Sequence, residues 1–246
     1  MEHVTGKTVV ITGASKGIGA ATARVLARLG ARVVLAARSA EALADLATDI
    51  GGMAVPCDVS DWAQVQSLMS QVGDVDVLVN NAGLIDPIAR LADSDPDAWG
   101  SVVDVNVKGV YHGMRAALPG MIARGSGTII NISSGAATGA LEGWSHYCAT
   151  KAAVLSLTRV ADKEARGAGV RVLGLSPGTV ATDMQRDIAA SGINPVSQLP
   201  WDAHIPPEWV GQTIAVLMGP LGDDYRGVDF SLKTEEGRAA AGLPPL

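Results

Sequence analysis

The stretch "VTGKTVVITGASKGIGAATARVLARLGARVVLAAR", Val4 to Arg38, decides the fold. A short apolar run around Val9–Ile11 enters three glycines, Gly13, Gly17 and Gly19. An alanine-rich segment follows in which Ile18, Ala21, Val25 and Leu29 recur every three or four residues, the period of a helix. A second β-branched run then ends on Ala37 and Arg38. This is a strand, a glycine turn, a helix and a second strand. A strand-to-helix turn exposes unpaired helix N–H groups, which attract phosphate. Gly13 suits the sharp turn, Gly17 a close approach of pyrophosphate to backbone, and Gly19 close packing of helix on strand. The loop Gly13, Ser15, Lys16, Gly17, Ile18 and Gly19 is therefore the expected phosphate cradle of a dinucleotide.

Working outward, the alternation continues. Apolar runs at 8–12, 32–37, 54–57, 75–79, 128–132 and 170–175, with a weaker one near 227–232, are separated by segments of helical period. Strands apolar on both faces predict a parallel sheet covered on both sides. The expectation is one α/β domain over 1–246: a doubly wound Rossmann-type parallel sheet of about seven strands between helical layers. The least regular stretch, Thr179 to Pro206, carries Gly192 and prolines 195, 200 and 206 and is expected to be a mobile substrate lid. Of the 246 residues 48% are hydrophobic and 18% charged, with a net charge of −6 and no basic run. That composition argues against nucleic acid and anionic membranes as partners. Cys57 and Cys148 form no metal-like pair, the histidines have no ligand spacing, and no apolar run reaches 18 residues. A cytoplasmic protein with reduced thiols and no metal is expected.

Tyr147 and Lys151 are four apart in a helical segment and so share a face. A nearby ammonium favours tyrosinate over a free phenol of pKa about 10, which would let Tyr147 exchange a proton with a substrate oxygen. Ser134 ends the run "TIINI" at a strand's carboxyl end, where its hydroxyl can donate to a carbonyl. Its neighbour Ser133 is expected to bond local backbone.

With "TGASKGIG" at 12–19, "DV" at 58–59, "NNAG" at 80–83, "VN" at 105–106, "SS" at 133–134, "YCATK" at 147–151 and "SPG" at 176–178, the chain resembles the short-chain dehydrogenases/reductases over roughly residues 5–232. The resemblance implies hydride transfer between a nicotinamide cofactor and a carbonyl or secondary alcohol. It implies that Tyr147 is the general acid/base, that Ser134 rather than Ser133 orients the substrate oxygen, and that Asn106 holds a relay water beside the lysine. Lys151 would hold the nicotinamide ribose. Asp58 and Val59 would frame the adenine, and Asn80, Ala82 and Gly83 would line the adenosine ribose and the path beyond. Pro177, Gly178, Val180 and Thr182 would flank the nicotinamide. Pairing of segments 97–124 and 145–166 across a two-fold axis would give a homodimer or homotetramer. Phe230 and Ser231 stand where many relatives carry glycines, which sets the C-terminal assembly contact apart.

An acidic residue near the end of the second strand would bind a ribose 2′-OH. Here Ala37 and Arg38 stand there, with Lys16 in the glycine loop, so NADP(H) is expected. Leu84, Ile85 and Trp144 are candidate pocket walls, and their apolar character suits a small to medium uncharged ketone or aldehyde. A non-catalytic NADP(H) sensor and an epimerase or dehydratase are the competing functions. The full set Asn106, Ser134, Tyr147 and Lys151 disfavours the first. The lack of a longer substrate domain disfavours the second.

Overall fold

The computed structural model describes residues 1–245. Seven strands, β1 (Thr8–Thr12), β2 (Arg32–Ala37), β3 (Met53–Pro56), β4 (Val77–Asn80), β5 (Gly127–Ile132), β6 (Val170–Ser176) and β7 (Asp229–Ser231), form one sheet in the order β3-β2-β1-β4-β5-β6-β7. Every neighbouring pair is parallel. The helices between them are α1 (Gly17–Arg28), α2 (Ala40–Ile50), α3 (Trp62–Val72), α4 (Pro96–Val103), α5 (Gly109–Arg124), α6 (Ser145–Ala165), α7 (Asp183–Ser191), α8 (Pro207–Leu217) and α9 (Glu235–Ala240).

Alternate residues of the same strand feed two cores, because successive side chains point to opposite faces. Val9 and Ile11 of β1 join Leu26, Leu43 and Ile214 on the face of α1, α2 and α8. Val10 joins Leu68, Met114 and Val154 on the face of α3, α5 and α6. That two-sided burial explains the apolar runs and gives the doubly wound, three-layer Rossmann-type fold the sequence predicts. Strand order reverses between β1 and β4, so the carboxyl ends of these two strands open the crevice in which such sheets bind ligands.

Two segments depart from the sequence reading. Between α4 and α5 the chain stays helical but widens to a π turn over Asp104–Lys108. And 179–206 is not structureless: it contains α7 and two short 3₁₀ turns, Pro195–Gln198 and Trp201–Ala203. Its prolines sit at the starts of turns, where they initiate helical structure instead of interrupting it.

Candidate active site

At the switch point Thr12 joins the two strand ends. Its hydroxyl accepts from the backbone N–H groups of Asn81 (3.0 Å) and Ala82 (3.1 Å). Asn81 Nδ2 donates to the carbonyls of Thr12 (2.9 Å) and Gly13 (3.2 Å). This brings the "NNAG" turn against the glycine loop so closely that a Cβ on Gly13, at φ 64°, would lie 2.7 Å from Ala82 Cα. A Cβ on Gly19 would lie 2.4 Å from the Gly13 carbonyl oxygen. Gly19 thus packs the start of α1 against the glycine turn and the Asn81 side chain instead of a strand, and does not line the cavity. The first turn of α1 has no acidic residue and its cap, Lys16, makes no side-chain bond to it. Its N–H groups are left as donors for an anion.

From this turn a cavity of about 650 Å³ runs along the carboxyl ends of the strands. Ser15, Lys16, Arg38, Asp58 and Val59 line one end. Ser134, Tyr147, Lys151, Pro177 and Gly178 line the other, with Ala82, Gly83, Val180 and Thr182 between. The uncapped helix end and glycine cradle at one end, and proton-transferring groups at the other, fit a nicotinamide dinucleotide laid along the crevice.

The reacting end is built by β5 and α6. Helix α6 puts Tyr147 and Lys151 on one face, with the Lys151 Nζ 5.4 Å from the Tyr147 ring centre and donating to the Ile132 carbonyl at 2.7 Å. Ser134 stands near enough to the Tyr147 hydroxyl to favour its ionised form, and its Oγ accepts from Ala136 N–H at 3.1 Å. Trp144 lies edge-on to the Tyr147 ring at 5.5 Å and, with Leu84 and Ile85, forms the predicted wall. Burial pushes the Tyr147 phenol up to about 12, against a downward pull from Ser134. This corrects the expectation that the ammonium lowers it: desolvation of the phenolate is the larger effect. Burial also lowers the Lys151 ammonium to about 8, opposed by the negative charge of Asp229.

Two further expectations are revised, for Asn80 and Ser133. Asn80 lies beneath the cavity, because its register places it opposite Asn131, whose Oδ1 accepts its amide at 2.8 Å; Asn81 takes the lining position. The Asn106 side chain holds the cavity wall. Its oxygen accepts from Leu84 N–H (2.8 Å), and its amide donates to the Leu84 carbonyl (2.9 Å) and to Thr150 Oγ1 (3.2 Å). Ser133 bonds no local backbone; its hydroxyl donates across the sheet to Asp229 Oδ2 at 2.6 Å. Sequence reasoning missed Asp229 and Lys233, which the weak seventh strand brings beside the site from far along the chain. His146 is structural as expected, with Nε2 2.6 Å from the Ile85 carbonyl oxygen. No cluster of three or more metal-ligating side chains occurs among the described residues.

Set beside known proteins, residues 7–192 match the profile of the short chain dehydrogenases. The chain belongs to the short-chain dehydrogenase/reductase family. An uncharacterised oxidoreductase of Staphylococcus haemolyticus is 38% identical over 191 residues, 75% of this chain and 82% of that protein. A solved short chain dehydrogenase/reductase family protein is 38% identical, covers 93% of this chain and 96% of its own, and superimposes with a TM-score of 0.84. An actinorhodin polyketide ketoreductase solved with NADPH is 26% identical, covers 92% and 95%, and gives the same TM-score. Family members solved with NADH and with NAD⁺ overlay similarly. As a short-chain dehydrogenase/reductase the protein has the fold and the oxidoreductase character of its relatives, and they bind nicotinamide cofactors of both kinds. No helix among the described residues is long and apolar enough to cross a membrane.

Proposed function

We propose that the protein is an NADP(H)-dependent carbonyl reductase or secondary-alcohol dehydrogenase, acting as a cytoplasmic homo-oligomer. The observation that carries this is the convergence of Ser134, Tyr147 and Lys151 on one end of a cavity whose other end is the uncapped amino terminus of α1. Bound there, the nicotinamide supplies or accepts the hydride. Ser134 donates a hydrogen bond to the substrate oxygen and fixes the carbonyl against Tyr147. Tyr147 gives its phenolic proton to that oxygen as negative charge develops on it, and takes the proton back in the oxidative direction. Lys151, anchored on the Ile132 carbonyl, stabilises the phenolate left behind and binds the nicotinamide ribose. Asn106 holds the Leu84 backbone and so keeps the far wall in place. Leu84, Ile85, Leu141, Trp144 and Ile188 favour a small to medium substrate with an apolar body.

The preference for NADP(H) rests on Arg38 and Lys16, which line the end of the cavity beyond β2, where Ala37 offers no carboxylate. Lys16 is tethered only loosely, 3.9 Å from Asp183 with both side chains more than half exposed. Arg38 has no ion-pair partner among the described residues. Asp58 is turned onto Ser60, accepting from its N–H at 2.9 Å and its hydroxyl at 2.7 Å. A panel of ketones and aldehydes, followed by absorbance with NADPH and with NADH, tests the reading. Turnover of at least one carbonyl compound with NADPH preferred is expected. A protein that oxidises neither cofactor with any of them would refute it.

A further inference from the structure

Lys233 is a cation at the reacting end of the cavity that neither the proton transfer nor the anchoring of the cofactor uses. Its backbone is fixed. The buried Arg238 donates from Nη1 to the carbonyls of Leu232 (2.9 Å) and Lys233 (3.1 Å). Leu232 N–H donates to the Ser176 carbonyl at 3.0 Å and Lys233 N–H to Ser231 Oγ at 3.2 Å. The turn after β7 is thereby held over the carboxyl end of β6, and it aims the lysine between two glycines. A Cβ on Gly178 would stand 3.1 Å from Lys233 Cγ, and one on Gly135 3.0 Å from its Nζ. Gly135 directly follows Ser134. With adjacent Cα atoms about 3.8 Å apart, the ammonium lies within about 8 Å of the Ser134 Cα. No carboxylate pairs with it among the described residues, whereas Lys151 is engaged by Ile132, and Lys16 and Arg38 stand at the opposite end. Apart from the amide of Gln185, the rest of this end is apolar: Leu141, Trp144, Met184, Ile188 and Val196.

Building on the carbonyl-reductase reading, we infer that Lys233 anchors a carboxylate of the substrate, so that the protein reduces oxo acids whose carboxylate lies one to three bonds from the carbonyl carbon. The acid group pairs with Nζ, the carbonyl oxygen meets Ser134 and Tyr147, and an apolar remainder packs toward Trp144 and Ile188. The carbonyl carbon receives the hydride and its oxygen the Tyr147 proton, giving the hydroxy acid and NADP⁺; solvent re-protonates the phenolate. A largely apolar wall with one cation free of a carboxylate partner suits such a molecule better than the uncharged ketone expected from the walls alone, since an unpaired cation favours an anionic partner.

The test compares kcat/KM for 2-oxopentanoate and 4-oxopentanoate with that for their methyl esters, alongside NADPH affinity. The unmodified protein should favour acid over ester. A charge-assisted hydrogen bond is worth enough to make that ratio fall about tenfold or more in Lys233→Met. Lys233→Arg should keep it within about threefold, and NADPH affinity should hold in both. A ratio unchanged by Lys233→Met overturns the inference. So does NADPH affinity that falls while the ratio stays constant, because the ammonium then serves a cofactor phosphate. Turnover of neutral ketones but of neither acid overturns this inference and leaves carbonyl reduction standing; turnover of no carbonyl at all overturns both.

Discussion

Lys151 carries two opposed effects. Burial lowers its ammonium to about 8 while Asp229 pulls it back up, and burial holds Tyr147 protonated to about 12. Below pH 8 the site therefore has a protonated phenol beside a charged lysine, the form needed to reduce a carbonyl. Carbonyl-reducing kcat/KM should be flat at neutral pH and fall as pH rises through about 8, as Lys151 loses its proton. Asp229 faces Ser133, Lys151 and Arg159. Asp229→Asn keeps the bond to Ser133 and removes the negative charge, so the alkaline limb of that profile should move to lower pH; a limb that stays put would show that Asp229 does not act on Lys151. At the other end of the cavity, an Arg38 bond to a 2′-phosphate is worth about 1.5–3 kcal/mol, or about tenfold or more in NADPH over NADH affinity. Ala37→Asp with Arg38→Ala should reverse the preference in a titration with both cofactors. Much of this was legible residue by residue: Gly13, Gly17, Arg38, Ser134, Tyr147 and Lys151 all reach the cavity. The pKa of Tyr147 was not, because a neighbour in sequence is visible and the depth of burial is not.

Among the elements, the strands and most helices could be read from period alone, because both faces of each strand are buried. Asn80 shows the limit. A one-residue step at the end of β4 turns a side chain from the cavity to the floor, and only the pairing with Asn131 fixes which. The π turn between α4 and α5 leaves no signal in the apolar pattern, yet it presents Asn106 to Leu84 and Thr150. Asn106→Ala would leave the part-buried Leu84 N–H and carbonyl without their protein partner, at up to about 1–3 kcal/mol each. Thermal unfolding should drop by several degrees and turnover should fall with it. Helix α7 escaped the sequence reading because its flanking prolines and glycine mimic a loop. Its Met184, Gln185 and Ile188 line the cavity, and Gln185 and Ile188 are buried.

Across the whole molecule, the assembly is a proposal. The long helices α5 and α6 leave Tyr111 48%, Ile122 43% and Val160 50% exposed, large apolar groups on the segments expected to pair. Tyr111→Asp combined with Val160→Asp should convert a dimer or larger assembly into monomers by light scattering, with the fold retained by circular dichroism. A monomeric unmodified protein at micromolar concentration would remove the proposal. The weak strand β7 matters at the same scale. It closes the sheet and also delivers Asp229 beneath the lysine and Lys233 over the cavity. Contacts so distant in the chain have no local pattern by which a sequence could announce them.

The central claim is that Tyr147 is the proton donor of an NADP(H)-dependent reduction, and Tyr147→Phe tests it most directly. The substitution removes one hydroxyl and keeps the ring against Trp144. Turnover of an accepted carbonyl compound should fall about 10²–10⁴-fold, while NADPH affinity stays within about twofold, since Lys151, Arg38 and the glycine loop remain. Near-normal turnover in the phenylalanine variant would contradict the account.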